Sequence, residues 1–472
     1  MKRMLAVLIA GLFAEGAVAA DLLGVYRDAF AFDAQFASAR SQAAAGQESR
    51  IQGRAGLLPQ IGASATVQYN DSEIKRPLPG YSGRYGSNQW GVQLTQPLFR
   101  MQNWYQYEQG NLASTVSELQ LESARQDLVL RVAGAYFDLL NAQETLASIV
   151  AQKGATMQQL ELAKKSFEVG TTTITDVHEA QSRFDLVVAN EAAASANVEI
   201  KRETLRRYTG KEYNALAPLR EGVHFDSPQP ADMAQWATRA EEDNFGVQAA
   251  KLAAEIANKT LSSNRAGHLP TADIVASYGA TNNNAIGGIT ATESKITSGS
   301  IGVQLSLPIF AGGYTQSKVR ESLALRDKAR SDYEDARRAA SLGVRQAYLG
   351  VTSGIAQVAG YEAALLSSRS AVEANKLGYQ VGVRINIDVL NAETQFFDTF
   401  RQLSRARYDT LLAQLQLKSA TGTLGETDIQ AINGLLDPEA AGRPITLPDT
   451  TPKTEPGNKK SAADALTGRK KK

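Results

Sequence analysis

The chain repeats itself. Gly56-Leu57-Leu58-Pro59 returns as Gly267-His268-Leu269-Pro270, and Pro97-Leu98-Phe99 as Pro308-Ile309-Phe310, both at an offset of 211. Ala135-Tyr136 returns as Ala347-Tyr348, Val169-Gly170 as Val381-Gly382, Asp176-Val177 as Asp388-Val389 and Thr209-Gly210 as Thr421-Gly422, now at 212. Landmarks in one order, with a single inserted residue, mark a tandem duplication. Residues 21–210 and 231–435 are the two expected copies, and 211–230, with Pro218, Pro228 and Pro230, is the join. Each copy should build the same set of elements.

Two patterns fill each copy. The first is helical. Leu128, Val132, Ala135, Leu139, Ala142, Leu146 and Ile149 step alternately by four and three, the 3.5-residue period of a left-handed coiled coil. Ala340, Val344, Ala347, Val351, Gly354, Val358 and Tyr361 repeat it in the second copy. Residues 102–167 contain no Pro. A continuous helix there would be about 100 Å long at the α-helical rise, far beyond a globular helix.

The second pattern has period two. Ile61, Ala63, Ala65, Val67 and Tyr69 share one face of a strand, and Trp90, Val92 and Leu94 share a face of the next. Ala272, Ile274, Ala276, Tyr278 and Ala280, then Ile301, Val303, Leu305 and Leu307, do the same in the second copy. Hairpins are expected over 60–96 and 271–307, with strands of about 8–11 residues, the length and alternation of outer-membrane barrel strands. Tyr81, Tyr85 and Trp90 near one end, and Phe99 and Phe310 near the other, would supply aromatic girdles. A half-buried sheet in a soluble protein alternates in the same way. Four strands cannot close a membrane barrel, because about eight is the minimum, and an open edge in lipid is forbidden. Spanning strands therefore require a barrel shared between protomers.

Residues 1–20 read as a secretory signal peptide. Lys2 and Arg3 precede the apolar run Met4–Phe13, and Ala17-Val18-Ala19 or Val18-Ala19-Ala20 offers small residues for cleavage, with Asp21 as the expected first mature residue. Residues 436–472, polar, punctuated by Pro and ending in three lysines, read as a disordered periplasmic tail.

Composition leans away from an enzyme. The chain has no Cys, which removes disulfides, thiolate metal sites and lipid attachment through an N-terminal Cys. Its three His are scattered, and no Gly-x-Ser-x-Gly, His-Glu-x-x-His or phosphate-loop pattern occurs. No cofactor is expected. The net charge is +1, and nothing suggests nucleic-acid binding. A membrane-anchored trimeric coiled-coil structural or adhesive protein is the alternative, but it needs neither matched strand hairpins nor matched turn motifs.

Those turn motifs are Phe167-Glu168-Val169-Gly170 through Ile174-Thr175-Asp176-Val177, and Gly378-Tyr379-Gln380-Val381-Gly382-Val383-Arg384 through Ile387-Asp388-Val389-Leu390. Each reads as helix, stop and helix. Gly170 and Gly382 suit the left-handed position that ends a helix. Thr173 or Thr175, and Asn386, suit N-caps, which puts Asp176 and Asp388 in first turns that favour a carboxylate. With Asn141-Ala142-Gln143 and Thr421-Gly422-Thr423-Leu424-Gly425, these motifs resemble the TolC family of outer-membrane efflux and type I secretion ducts over nearly the whole chain to about residue 435.

The resemblance implies a mostly α fold with a membrane β part. Four strands per protomer would enter a shared 12-stranded barrel of a homotrimer, continued by a long coiled-coil helical cylinder into the periplasm. It also implies a location in the outer membrane, contact with its lipid, and opening by a periplasmic adaptor (membrane fusion protein) with an inner-membrane RND or ABC transporter. Gly170 and Gly382 would be adaptor-contact tips. Tyr379 would bond to Asp176, and Arg384 would reach Thr175 and Asp176 on a neighbouring coil, forming a gate to which Gln159 also belongs. Lys376 stands where relatives carry the acid that meets this glutamine. Asp388 would form an acidic ring at the entrance, with Asn391 in place of a second acid.

Overall fold

The computed structural model describes residues 20–74, 81–213, 215–220, 222–283 and 294–443. The expected signal segment, apart from Ala20, lies outside the described residues, as do the tips of both strand hairpins.

Each copy folds as two short helices, a strand hairpin and two long helices. The first holds α1 (Leu22–Phe32), α2 (Ala34–Ala55), β1 (Gln60–Ile74), β2 (Tyr81–Phe99), α3 (Met101–Glu168) and α4 (Ile174–Thr209). The second holds α5 (Met233–Asp243), α6 (Phe245–Arg265), β3 (Thr271–Asn283), β4 (Ser294–Ser306), α7 (Tyr314–Gln380) and α8 (Asn386–Ala420). A final short helix, α9, spans Glu426–Asn433.

The short helices begin where short polar side chains satisfy their free N–H groups. Asp21 accepts from Gly24 N at 2.8 Å and Asp33 from Phe36 N at 2.7 Å. One repeat later Asp232 accepts from Ala234 N at 2.8 Å and Asn244 from Gly246 N at 2.9 Å. The duplication thus extends to the caps.

The long helices follow the heptad pattern. α3 runs 68 residues, about 100 Å, without a break. Its companion α7 runs 67. α2 packs along the half of α3 nearest the sheet and α4 along the far half, so the chain rises, descends the full length and returns. Leu128, Val132, Leu139 and Ala142 are buried, joined by α1, α9 and residues 216–219 in one apolar cluster at the middle of α3. Tyr136 lies wholly inside it, and its hydroxyl donates to Ala217 O at 2.8 Å. In α7 only Val344, Val351 and Val358 of the matching positions are buried.

Leu436, expected to open a disordered tail, is fully buried against Leu219 in this central belt. The order of residues 436–443, with Asp437 N donating to Pro218 O at 2.8 Å, corrects that boundary.

The four strands form one antiparallel sheet in the order β1-β2-β3-β4. Its register aligns the alternation across every strand. Ala63 opposes Val92, Val92 opposes Tyr278, and Ala276 opposes Ile301 on one face. Ser64 opposes Gly91, Gln93 opposes Ser277, and Ser277 opposes Ser300 on the other. One face is apolar and the other polar, as the period predicts. β1 and β4 are edges without a partner among the described residues.

The strands, at 15, 19, 13 and 13 residues, are longer than expected. Backbone pairing continues into the polar stretch Asn70-Asp71, where a hydrophobic pattern cannot report it. Trp90 is corrected from an end to the middle of β2, opposite Ala65 and Ala280. The Tyr81 side chain lies outside the described residues. No helix among the described residues is long and apolar enough to cross a membrane.

Candidate functional site

Far from the sheet, each pair of long helices is joined by a tight turn. After Val169 and Val381 come Gly170 at φ 74° and Gly382 at φ 77°, both left-handed as expected. Gly170 N donates to Phe167 O at 2.9 Å and Thr171 N to Ser166 O at 2.8 Å. Gly382 N donates to Tyr379 O at 3.1 Å and Val383 N to Gly378 O at 2.9 Å. Both turns are Schellman motifs, which satisfy the last carbonyls of α3 and α7. A side chain at either glycine would meet nothing within 4 Å, so only the left-handed backbone disfavours one.

The helices that follow begin differently. Thr173 caps α4 and forms a reciprocal capping box with Asp176: Asp176 N donates to Thr173 Oγ1 at 3.3 Å, and Thr173 N donates to Asp176 Oδ2 at 3.1 Å. Thr172 also donates its hydroxyl to Asp176. That bond, with lesser help from Thr173 and against the effect of burial, holds the Asp176 carboxyl below the usual carboxylate range. Thr175 is exposed and takes no part in the cap.

In the second copy the position of Thr173 is occupied by Ile385, and α8 has no side-chain cap. The expected cap, Asn386, is instead the first helical residue. It is 2% exposed, and both polar atoms of its side chain lack a hydrogen bond. The offset is 212 on both sides of this turn, so Asn386 matches Ile174 rather than Thr173, and the second copy carries an apolar residue at the capping position itself. Asp388 faces Arg384, with Nη1–Oδ2 at 3.6 Å.

Asp176, Tyr379 and Arg384 line one open cleft of about 470 Å³ between the two turns. Thr172, Gly382 and Asn386 line it too, whereas Thr175 and Gln159 do not. Within this chain Tyr379 makes no hydrogen bond to Asp176 among the described residues; the bonds from Thr172 and Thr173 all go to Asp176 Oδ2. Gly378 permits the placement of Arg384, since a Cβ there would sit 2.7 Å from the arginine stem.

The start of α8 is seated on the first hairpin. Ile387 and Leu390 pack with Leu160, Ala163, Val177, Ala180 and Phe184. Beside them Arg183 Nη2 donates to Asn391 Oδ1 at 3.1 Å. Lys376 does not meet Gln159. It approaches Glu393 Oε1 at 2.9 Å within its own hairpin, and the Gln159 Oε1 atom is buried without a partner. Burial pushes the Glu393 carboxyl up, against the pull of Lys376.

Above this point the seam between α3 and α8 is polar. Arg401 Nη1 donates to Ser148 Oγ and Gln152 Oε1, both at 3.2 Å, and also pairs with Asp398. Ser404 and Tyr408 donate to the half-buried Glu144, whose carboxyl is pushed up by loss of water around it despite those bonds and Arg407. The sequence held a signal for this seam: Ser148, Gln152, Thr156 and Gln159 step by four, four and three, placing polar residues at core spacing.

Comparison with known proteins bears on the same elements. The family described as outer membrane efflux protein matches residues 25–211 and 236–423, one block for each copy. The outer membrane protein TolC of Vibrio cholerae is 33% identical over 437 residues, 92% of this chain and 98% of that protein. TolC of Escherichia coli is 32% identical over 96% of this chain and 93% of its own length. The alkaline protease secretion protein AprF of Pseudomonas aeruginosa is 31% identical over 89% of this chain and 88% of its own. Among solved structures, the Campylobacter jejuni CmeC outer membrane channel superposes with a TM-score of 0.75 at 17% identity, covering 88% of this chain and 90% of that one. From its duplicated helices, its four-stranded sheet and these matches, the chain belongs to the outer membrane efflux protein family.

Proposed function

We propose that the protein is one protomer of a homotrimeric outer-membrane duct that carries substrates out of the periplasm for multidrug efflux, type I protein secretion or both. The observation that carries the reading is the sheet. Over the stretch that holds Ala63, Val92, Tyr278, Ala276 and Ile301 it has one apolar face and one polar face, and its two edges have no partner among the described residues. In lipid those edges must pair, and joining β4 of one protomer to β1 of the next closes a barrel with a wet interior. Three protomers of four strands give twelve. The helices of about 100 Å then continue the wall toward the inner membrane.

The turns at Gly170 and Gly382 form the periplasmic end in this reading. Their open tips, where Val169, Val381 and Val383 are exposed beside the glycines, suit docking of the helical hairpin of a periplasmic adaptor, which itself engages an inner-membrane RND or ABC transporter. Tyr379, Arg384, Asp176 and Thr175 form the gate across neighbouring coils, with Gln159 behind it. The shared cleft of Asp176, Tyr379 and Arg384 supports this grouping. Asp388 supplies the acidic ring. Relatives named for TolC, for protease secretion and for efflux support both transport roles.

Unheated electrophoresis and native mass measurement of protein extracted from outer membranes test the assembly. A trimer that falls apart only on heating is expected. A stable monomer with a closed barrel overturns the reading.

A further inference from the structure

We infer that the seam between protomers repeats the register found inside each one, with Val303 of one protomer opposite Val67 of the next, and that β4 continues beyond Ser306 when that neighbour is present. This register completes the shared barrel proposed above, on which it rests.

In the sheet the duplication holds residue for residue. Gln60 opposes Thr95 in the first hairpin, and Thr271 opposes Ser306 in the second. Each member of the second pair stands 211 positions after its counterpart, the offset of the sequence repeat. β1 and β3 are therefore twins, as are β2 and β4. Between the hairpins, β2 meets β3 with Val92 opposite Tyr278, Gln93 opposite Ser277 and Phe99 opposite Ala272. A closed ring of such hairpins is head to tail, so this contact recurs where β4 meets β1 of the next protomer. Moving β2 forward and β3 back by 211 places Val303 opposite Val67, Gln304 opposite Thr66 and Phe310 opposite Ile61.

Two features of the sheet agree with this register. The first is its faces. Ile301 meets Tyr69 and Leu305 meets Ala65 on the apolar side, while Gln304 meets Thr66 and Ser300 meets Asn70 on the polar side. A slip of one residue would turn the apolar side chains of one strand toward the wet lumen. The second is the end of β4. Its twin β2 pairs as far as Phe99, the counterpart of Phe310, yet β4 stops at Ser306. Beyond that point Ile309 is 94% exposed and Phe310 87%, against 57% and 43% for their twins Leu98 and Phe99. β3 lies beside Phe99, whereas β4 is an edge among the described residues. In the inferred register, residues 307–310 run along residues 61–63 of the next protomer.

Paired cysteines test this without background, because the chain has no Cys. Thr66→Cys with Gln304→Cys joins two lumen-facing positions. Gln304→Cys with Ser64→Cys, or with Gln68→Cys, samples the registers two residues away. Directly opposite residues bring Cβ atoms to about 4.5–5.5 Å and diagonal ones only to about 7–8 Å, while a disulfide needs about 3.5–4.5 Å. On oxidation of outer membranes, the 66/304 pair should lose most of its monomer band to linked dimers and trimers on denaturing gels. The two shifted pairs should keep theirs. Ile61→Cys with Phe310→Cys should link as well. Unheated electrophoresis of each variant reads the assembly separately. Linkage at a shifted pair, or at no pair in variants that form the trimer, overturns the register. A linked 66/304 pair with an unlinked 61/310 pair overturns the extension of β4. Absence of a trimer in the parent chain overturns the shared barrel, and the seam with it.

Discussion

The two periplasmic turns have the same backbone and different chemistry. Both end a helix of about 100 Å on a left-handed glycine, with the same pair of closing hydrogen bonds. The first then starts α4 with the Thr173–Asp176 capping box. The second starts α8 with Ile385, a buried and unpaired Asn386, and an acid whose partner is Arg384 across 3.6 Å. A capping side chain contributes about 0.5–2 kcal/mol to its helix. The duplication therefore supplies one firm turn and one loose turn. A gate needs that asymmetry: a fixed frame, and an element held shut by bonds weak enough for a partner to replace.

Substitution of the tip glycines should give the largest effect. Gly382→Leu is expected to abolish export while the trimer still folds and inserts. A left-handed non-glycine residue costs only about 1–2 kcal/mol in the backbone, but the side chain fills the docking tip. Gly170→Leu at the firm turn is the matched comparison. Export assays with trimer quantification check both, and normal export by a folded Gly382→Leu trimer contradicts docking there.

Next comes the closed state. Tyr379→Phe combined with Arg384→Ser removes donors from the loose side and leaves the Thr173–Asp176 box intact. Single-channel conductance should rise well above that of the parent. Unchanged conductance would mean that the cleft does not hold the gate.

The two acids sharpen the contrast. Asp176→Ala should destabilise its hairpin by about 0.5–2 kcal/mol, through loss of the box. Asp388→Ala should cost about 0.3–1 kcal/mol, the value of a first-turn acid, while removing most block by polyvalent cations from the periplasmic side. Asn391→Asp, which adds a second acid, should strengthen block only slightly, since Arg183 already faces position 391 at 3.1 Å. Thermal unfolding and current against blocker concentration separate these outcomes. Equal block in the parent and Asp388→Ala places the acidic ring elsewhere.

The smallest expected effect is on pH dependence. Asp176 sits below its ordinary value, so its contribution is present at neutral pH and is lost as pH falls through the folded value. Glu144 sits above its ordinary value of 4.5. Its contribution is full below that value and is lost as pH rises through the folded one. Glu144→Gln should flatten the second dependence and leave the first unchanged. Thermal unfolding measured across pH checks this, and an unaltered profile contradicts a proton-binding Glu144.

Much of this was legible in the sequence. Regular spacing gave α3, α7 and the heptad positions Leu128 to Ile149, because one apolar face per turn is all a long helix must declare. The strand faces were equally plain. Their full length was not, since pairing beyond Tyr69 is carried by the backbone. The glycine turns could be read because a left-handed position admits few other residues. Asn386 misled, because a good capping residue can sit one place inside the helix when the capping position itself carries an apolar residue, here Ile385. The α3–α8 seam was missed for another reason. Arg401 lies 253 residues from Ser148 and 249 from Gln152, and only the fold shows them sharing bonds.

The central claim is that one protomer supplies an incomplete wall and only the assembly is a duct. Single-channel recording in planar bilayers tests it, with the unheated trimer and heat-dissociated chains measured side by side. The account predicts discrete, cation-preferring conductance from the trimer and none from the dissociated chains. Equal channels from isolated protomers, or a folded and inserted trimer that passes no ions even with Tyr379→Phe and Arg384→Ser, would contradict it.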